Sequence, residues 1–599
     1  MKKQYLQQII PLVVFAVLAF AYLAITAQDL FYVVQSQDFF VYDSYFFDRV
    51  AAYPGLVAPY VGSFLTQFAF HPLAGIGLFV LLLTALAWIA QAVWRVPRQL
   101  SALTLVASVL VVAFVVGWDY GLFGTRHYGN LFSPIVGMML ATLLTAVSVR
   151  LKNRWIRYAW SMAVLVLLYP FLGFYALMAA AMPLMLRFDK LIILLTLVPM
   201  AFVPYIEAQW LFPNFNSHFC MIAGLPFKDY FKTQLTWMPL YVAFAFSLML
   251  PLLARAAGKM KPRMATVISC AVAAAAVALV PMLRFNDSNF KTLLAVEHAY
   301  GTGEDNRVLE LCTTQQQPIR SIVMYRNIEL WKRGELLDKM FQYSWDTDTV
   351  KSVNLRMNTY ITGAKVFQHY TFWNFSYRWA MERMVMYKPS YADIQIMARN
   401  VLYNHETELA DKYLSMLDNT LYYKDWAHTQ RRLLSPETLR ADSAYMMHRQ
   451  IVLVPQGAID NTEYCEYLLL KYFTNLYALT PKRAELCLAA CMIMHKENEF
   501  WQIVLAQEKA NPGMTLPRHV QEAALLYALK KNNASLMAQI KLMVGPQGAV
   551  CQQFERNQDL LARLLTAPTM GDVNTLAALC PGTYWNYYFN DSRKGVVFD

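Results

Sequence analysis

The sequence predicts an all-α protein in two parts: a polytopic transmembrane helical bundle over 1–284, followed by an extracytoplasmic tetratricopeptide-like α-solenoid domain over 285–599. Three observations carry this. The chain is 57% hydrophobic and 15% charged, with a mean hydropathy of +0.31, which is too apolar for a water-soluble chain of 599 residues. Nearly every apolar run long enough to cross about 30 Å of hydrocarbon falls before Leu283. From Asn286 onward charge is mixed, and apolar residues recur at intervals of three and four, the helical period.

The apolar runs at 9–27, 73–94, 100–117, 132–149, 191–212, 236–254 and 264–283 each predict a membrane helix. The stretch 159–186, interrupted by Tyr169-Pro170 and Gly173, reads as one kinked helix or as two short half-helices. Charge chooses between them. Fourteen cations gather at Lys2 and Lys3, Arg95 and Arg98, Arg150 to Arg157, Arg187 and Lys190, and Arg255 to Arg263; the connections 28–72, 118–131 and 213–235 hold only Arg49, Arg126, Lys228 and Lys232. Cytoplasmic connections carry the excess of Lys and Arg, and only two passes over 159–186 place all fourteen on one side. The expectation is nine passages through a bacterial inner membrane, with the N-terminus cytoplasmic and the C-terminal domain periplasmic. Met1-Lys2-Lys3 and the run after it also fit a secretory signal ending near Ala24-Ile25-Thr26-Ala27. The length of that run, and the eight later passages that need an oriented first helix, favour a retained span. A net charge of +12 is largely these juxtamembrane cations, so the expected partner is the lipid bilayer and no nucleic acid.

In the second part, "WNFSYRWAMERMVMYKPSYADIQIMARNVLYNHETELADKYLSML" puts Ala380, Ala398 and Ala410 at small-residue positions, and Pro389 breaks between helices, as in a helix-hairpin repeat. A second series runs from Pro481 to about Met543. Its spacing is loose, so the solenoid is degenerate, with an irregular all-α domain as the alternative. The cysteines form no CxxC pair and no Cys/His spacing that suits zinc; no metal and no cofactor is expected. Cys487 and Cys491, four apart on a helix, are poorly placed for a disulfide, so buried free thiols are expected.

No phosphate loop, GxSxG elbow, HExxH or dinucleotide fingerprint occurs in a matching context. Candidate chemistry is therefore confined to the membrane part and its outer loops, above all to "QDFFVYDSYFFDRVAAYPGLVAPYVGSFLTQFAFHP" with Asp38, Asp43 and Asp48. A carboxylate at the membrane is costly enough to be a functional candidate. Asp43 shares a side with Phe39, Phe46 and Phe47 if the segment is helical, and with Phe39, Tyr45 and Phe47 if it is extended. Two readings stand together: an aromatic anchor lying in the headgroup layer, and a carboxylate whose pKa desolvation raises toward that of a general base. The three aspartates are five apart and share no helical face, which argues against a three-carboxylate metal site.

The run "DSYFFDRVAAYPGLVAPYVGSFLTQF", with "TRHYGNLFSP", "YPFLGFYAL" and "ELADKYLSMLDNTLYYKDWA", resembles an uncharacterised family of polytopic membrane proteins of Bacteroidota, a domain of unknown function. More distantly, the membrane half resembles the GT-C class of glycosyltransferases, which have many spans, an acidic residue in the first outer loop and a polyprenyl-phosphate-linked sugar as donor. That resemblance implies Asp43 or Asp38 as the base that takes the acceptor proton, with Arg126, His127 and Arg49 holding the lipid phosphate. No clear paired-acid "DD" or "ED" of that class occurs in the membrane half. A different class of function fits equally: a non-enzymatic scaffold whose solenoid binds envelope proteins. Transport fits less well, since few ionisable residues lie within the spans, Glu207 being the main exception.

Overall fold

The computed structural model describes residues 2–52, 54–124, 128–185, 190–214, 223, 237–257, 260–345, 359–451, 469–470 and 480–590. Among the described residues all regular structure is helical. The chain forms two compact units: Met1–Asn286 together with Arg383–Ile394 and Tyr413–His428, and the remainder from Asp287 to Asp599. The first unit thus holds two segments that lie far beyond its main stretch in sequence.

The first unit begins with α1 (Lys2–Thr26), three short helices α2 (Gln28–Ser36), α3 (Ser44–Ala51) and α4 (Val57–Thr66), and α5 (Pro72–Trp94). A 3₁₀ stretch, Arg98–Leu105, leads into α6 (Val106–Val116). Then follow α7 (Ser133–Arg150), α8 (Arg154–Leu172), α9 (Phe174–Ala181), α10 (Lys190–Trp210), α11 (Met238–Ala257) and α12 (Pro262–Leu283). Starts are set locally. Pro72 and Pro262 occupy first-turn positions where a missing N–H costs nothing, and the Asn153 side chain accepts from Trp155 N (2.8 Å) to cap α8. Eight of these stretches are long and apolar enough to cross a membrane. Arg98–Val116 is enclosed by its neighbours; α1 and α12 keep Val13, Val17, Leu18 and Val267 exposed, as helices facing lipid do.

Side-chain contacts fix which helix ends lie together. Gln91 donates to Thr104 (2.9 Å) and Ser108 to the Leu83 carbonyl (2.8 Å), so α5 and the next span are antiparallel. Trp160 donates to the Leu144 carbonyl (3.1 Å), pairing α7 and α8 in the same way. Tyr158, near the start of α8, donates to the carbonyl of Leu195, near the start of α10 (3.3 Å). Those two helices therefore run parallel, and the short apolar stretch Phe174–Met185 is the return between them. Its twelve residues span only roughly 20 Å. Where the sequence suggested two half-helices over 159–186, the first is a full-length span, because its helix extends back to Arg154 through the basic stretch. The break falls at Gly173, whose φ of +55° and whose approach to the Ala223 carbonyl leave no room for a side chain.

One end of the unit collects loop one (residues 27–71), the turn after Phe123, Gly173, Ala223 and the end of α12. Gly55 N donates to Pro170 O (2.8 Å), Phe174 N to Ala223 O (2.8 Å) and Phe285 N to Val116 O (3.1 Å). Arg95, Arg98, Arg150, Arg154, Arg255 and Arg263 mark the opposite ends of the same helices.

In the second unit, Ser288–Thr302, Asp305–Thr314 and Arg320–Lys332 pack in succession, as do Pro481–Ile493 with Glu497–Ala510 and Arg518–Lys531 with Ala534–Val544 and Ala549–Thr566. Asp287, Asn533 and Thr569 cap helices, and Gly303, at φ +77°, closes the first. The core centres on Trp331 and Trp585, both fully buried. Glu522, also fully buried, accepts from Tyr584 N (2.7 Å) and pairs with His519 (2.8 Å), anchoring the last helix. Cys312, Cys487, Cys491, Cys551 and Cys580 are buried free thiols, and burial pushes Cys487 up to about 12, so it stays protonated.

Candidate functional site

Loop one turns inward directly after α2, and the carboxylate it buries is Asp38. Phe39 N (2.8 Å), Gly129 N (2.9 Å) and Ser63 Oγ (3.2 Å) donate to it, and Lys388 Nζ approaches to 2.5 Å. Asp38 and Lys388 are 4% and 3% exposed, so this is an ion pair out of water with further donors on the acid. Such a pair is tolerated only when the remaining lone pairs are satisfied, as they are here. The ammonium also lies 4.6 Å from the Tyr128 ring centroid.

Glycine makes this possible. Gly129 sits at φ +61°, and a Cβ there would lie 2.3 Å from the backbone of Gly62 and Ser63. The turn and the α4 backbone therefore touch directly, which brings the Gly129 N–H to the carboxylate.

The pair belongs to a larger clasp. Tyr391 OH donates to Phe40 O (2.8 Å) and accepts from Phe40 N (3.0 Å), while Tyr391 N donates to Asp38 O (3.2 Å). Tyr423 OH donates to Gln35 (2.8 Å), Tyr42 N donates to Asn419 O (2.9 Å), and Tyr422 stacks on Phe70 at 4.8 Å. Phe46, Tyr60 and Phe64 pack edge-on around the Phe40 ring. Arg383 and the fully buried Asp393 form a second ion pair, and Ser390 donates to Asp393 (2.8 Å). Loop one is thus held on both flanks by Arg383–Ile394 and Tyr413–His428.

Asp43 lies elsewhere. It is exposed and serves as the N-cap of α3, accepting from Tyr45 N (3.3 Å) and Ser44 Oγ (3.2 Å). Its side chain is taken up in capping at an exposed position, whereas Asp38 is the buried aspartate. Arg49 is half-buried near the end of α3, and Asp48 is exposed. Arg126 and His127 lie outside the described residues. Tyr42, Tyr45 and Phe47 are exposed around Asp43. Glu207, near the end of α10, is 7% exposed.

Sequence reasoning missed Lys388, Tyr391 and Tyr423, which lie 350, 351 and 388 residues from their partners Asp38, Phe40 and Gln35. Only the run "MYKPSY", a lone cation between tyrosines, marked the place.

A family model described as a family of unknown function, DUF6057, matches residues 3–591. The chain belongs to this family. It matches no curated protein and no solved structure at a significant level. Membership in DUF6057 thus fixes kinship across both units and leaves the activity to be argued from the site.

The second unit of this DUF6057 chain holds another buried polar cluster. Lys365 pairs with Glu297 and donates to Tyr325 OH (2.9 Å); Tyr300 OH and His369 Nε2 are 2.9 Å apart; and the His369 and His448 rings stack at 5.7 Å. Burial, with Lys332 and Arg399 nearby, holds His369 well below the usual histidine range and His448 at about 4. Both rings are neutral at pH 7. His448 Nδ1 donates to Ala444 O (2.5 Å).

Proposed function

We propose that this is a multi-pass protein of the bacterial inner membrane that serves as a non-enzymatic scaffold, with the clasped loop-one end outside the cytoplasm. The observation that carries this reading is Asp38. Its position in loop one suits the acid of a glycosyltransferase, yet its oxygens are occupied by Lys388, Ser63 and two backbone N–H groups. A general base needs a lone pair facing the acceptor; a structural pin does not. The orientation rests on the positive-inside bias, since the arginine-marked helix ends lie opposite loop one. On that basis the N-terminus is cytoplasmic and residues 287–599 are periplasmic. The succession of packed helices in the second unit is compatible with a degenerate tetratricopeptide-like solenoid, and exposed Leu542, Met570 and Leu579 suit a surface that meets other envelope proteins.

The alternative keeps the distant GT-C resemblance and a polyprenyl-phosphate-linked sugar. It rests on Asp43, which is exposed beside Tyr45 and Phe47 and free to meet an acceptor, with Arg49 on the same helix and Arg126 and His127 as phosphate partners. One experiment separates the two. In a strain whose deletion has a phenotype, Asp43→Asn should be silent under the scaffold reading, and a photo-cross-linker at 542, 570 or 579 should give a discrete protein adduct. Loss of function in Asp43→Asn at normal protein level, without any adduct, overturns the scaffold.

A further inference from the structure

The loop-one end of α10 carries a carboxyl that the clasp does not use. Along this helix Thr196, Val203, Glu207 and Ala208 form the buried stripe, whereas Phe202, Tyr205, Ile206 and Trp210 are exposed on the other side, as residues facing lipid are. Glu207 thus belongs to the inward face. Its Oε2 is buried without a hydrogen-bond partner, and among the described residues no cation pairs with it.

The bond from Tyr158 to the Leu195 carbonyl (3.3 Å) sets α8 and α10 in register. Leu195 to Glu207 and Tyr158 to Pro170 are both twelve residues, so Glu207 stands about level with Pro170. α8 and α9 pack against α10, and the titratable groups they bring near this level are two fully buried phenols, Tyr169 and Tyr175. Arg154 and Arg157 of α8 lie roughly 20 Å away along the axis.

The helices are also interrupted here. Pro170 lies inside α8, Gly173 turns the chain at φ +55°, and Pro199 and Pro204 lie inside α10. The two prolines of α10 strip donors from the Leu195 and Met200 carbonyls, of which Tyr158 satisfies the first. Interrupted helices around an inward carboxyl are a usual setting for proton and ion sites in membranes. A carboxylate out of water needs a counter-charge, and without one it is relieved by taking up a proton. Trp210, 83% exposed and within one turn of Glu207, makes the loop-one end the shorter way to water.

We propose that Glu207 is a proton-binding site within the membrane, a neutral acid in the packed bundle that exchanges its proton with water at the loop-one end. The inference rests on the membrane placement proposed above and is independent of the scaffold and glycosyltransferase readings.

Dicyclohexylcarbodiimide tests it, because this lipid-soluble reagent adds to a protonated carboxyl within a bilayer and leaves an N-acylurea, with nothing expelled. Full-length protein in phosphatidylcholine liposomes should be labelled at Glu207 in most chains at pH 6 and severalfold less at pH 8, with exposed Asp43 and Asp48 unlabelled. An ordinary glutamate, at about 4.3, is only about 2% protonated at pH 6. Glu207→Gln should abolish the label, and the wild-type pH series decides the matter if that variant does not fold. Absence of label at pH 6, or labelling of Glu207 by a water-soluble carbodiimide as readily as Asp43, overturns the site in favour of a hydrated carboxylate. Protection by millimolar sodium at constant pH and ionic strength overturns the proton in favour of a metal cation. A chain stripped from the liposomes by alkaline carbonate overturns the membrane placement itself, whereas a retained chain without label overturns the proton site alone.

Discussion

Lys388→Met is the most direct probe of the clasp. Met keeps most of the length of the Lys stem against Tyr128 and removes the ammonium, leaving a carboxylate that is 4% exposed without its counter-charge. Removing one member of a buried pair costs about 3–5 kcal/mol. Asp38 keeps Ser63 and the N–H groups of Phe39 and Gly129, so the lower end applies. At 1.4 kcal/mol per tenfold, about 3 kcal/mol becomes roughly a 10²-fold rise in local opening. Hydrogen exchange on nanodisc-embedded protein reads this directly: peptides over 37–43, 128–133 and 387–394 should exchange about 10²-fold faster, while α5 and α7 are unchanged. Asp38→Asn combined with Lys388→Met should exchange more slowly than Lys388→Met alone, because the double variant buries no orphan charge. Additive single effects, each below about 1 kcal/mol, would mean a solvated surface pair and would refute the argument.

Gly129→Ala forces a Cβ into the backbone of Gly62 and Ser63 at φ +61°, so it should cost at least 2 to 3 kcal/mol, on the order of the left-handed penalty plus overpacking, and lower the melting temperature in detergent. The neutral pair His369 and His448 makes the second unit acid-sensitive. Their folded pKa values lie below the unfolded value of about 6.5, so the stability they contribute is full above pH 6.5 and falls toward pH 4 by up to about 1.4 kcal/mol per unit for each ring. The melting temperature should drop over that window, and His448→Phe should flatten the drop. A C-terminal alkaline phosphatase fusion should be active and a Sec-exported green fluorescent protein fusion dark; the opposite pattern reverses the orientation.

The spans were legible because hydropathy is a local property. The runs 73–94 and 264–283 became Pro72–Trp94 and Pro262–Leu283 almost unshifted. The start of α8 was not legible: Arg154 and Arg157 lie inside the helix, where a reading by apolar runs stops at charge. The capping role of Asp43 was hidden for a related reason. Facing arguments over 38–48 assume one regular conformation, whereas the chain is extended at Asp43 and helical from Ser44. Sequence facing placed Asp43 among the rings and Asp38 second to it, and nothing in the sequence joined Asp38 to its partner. No periodicity connects Asp38 to Lys388, and only the tertiary fold brings Arg383–Ile394 into the membrane unit.

The clasp also imposes a timetable. Asp38 and Lys388 are 350 residues apart, so at about 5–20 residues per second roughly 20–70 s of synthesis separate the emergence of the carboxylate from that of its ammonium. Throughout that interval α1 through α12 can be inserted while loop one waits open, its tyrosines and phenylalanines uncovered. The first unit thus reaches its final form only after the ribosome is well into the second unit, and a chain cut short before residue 388 leaves an unsealed loop for a protease to find.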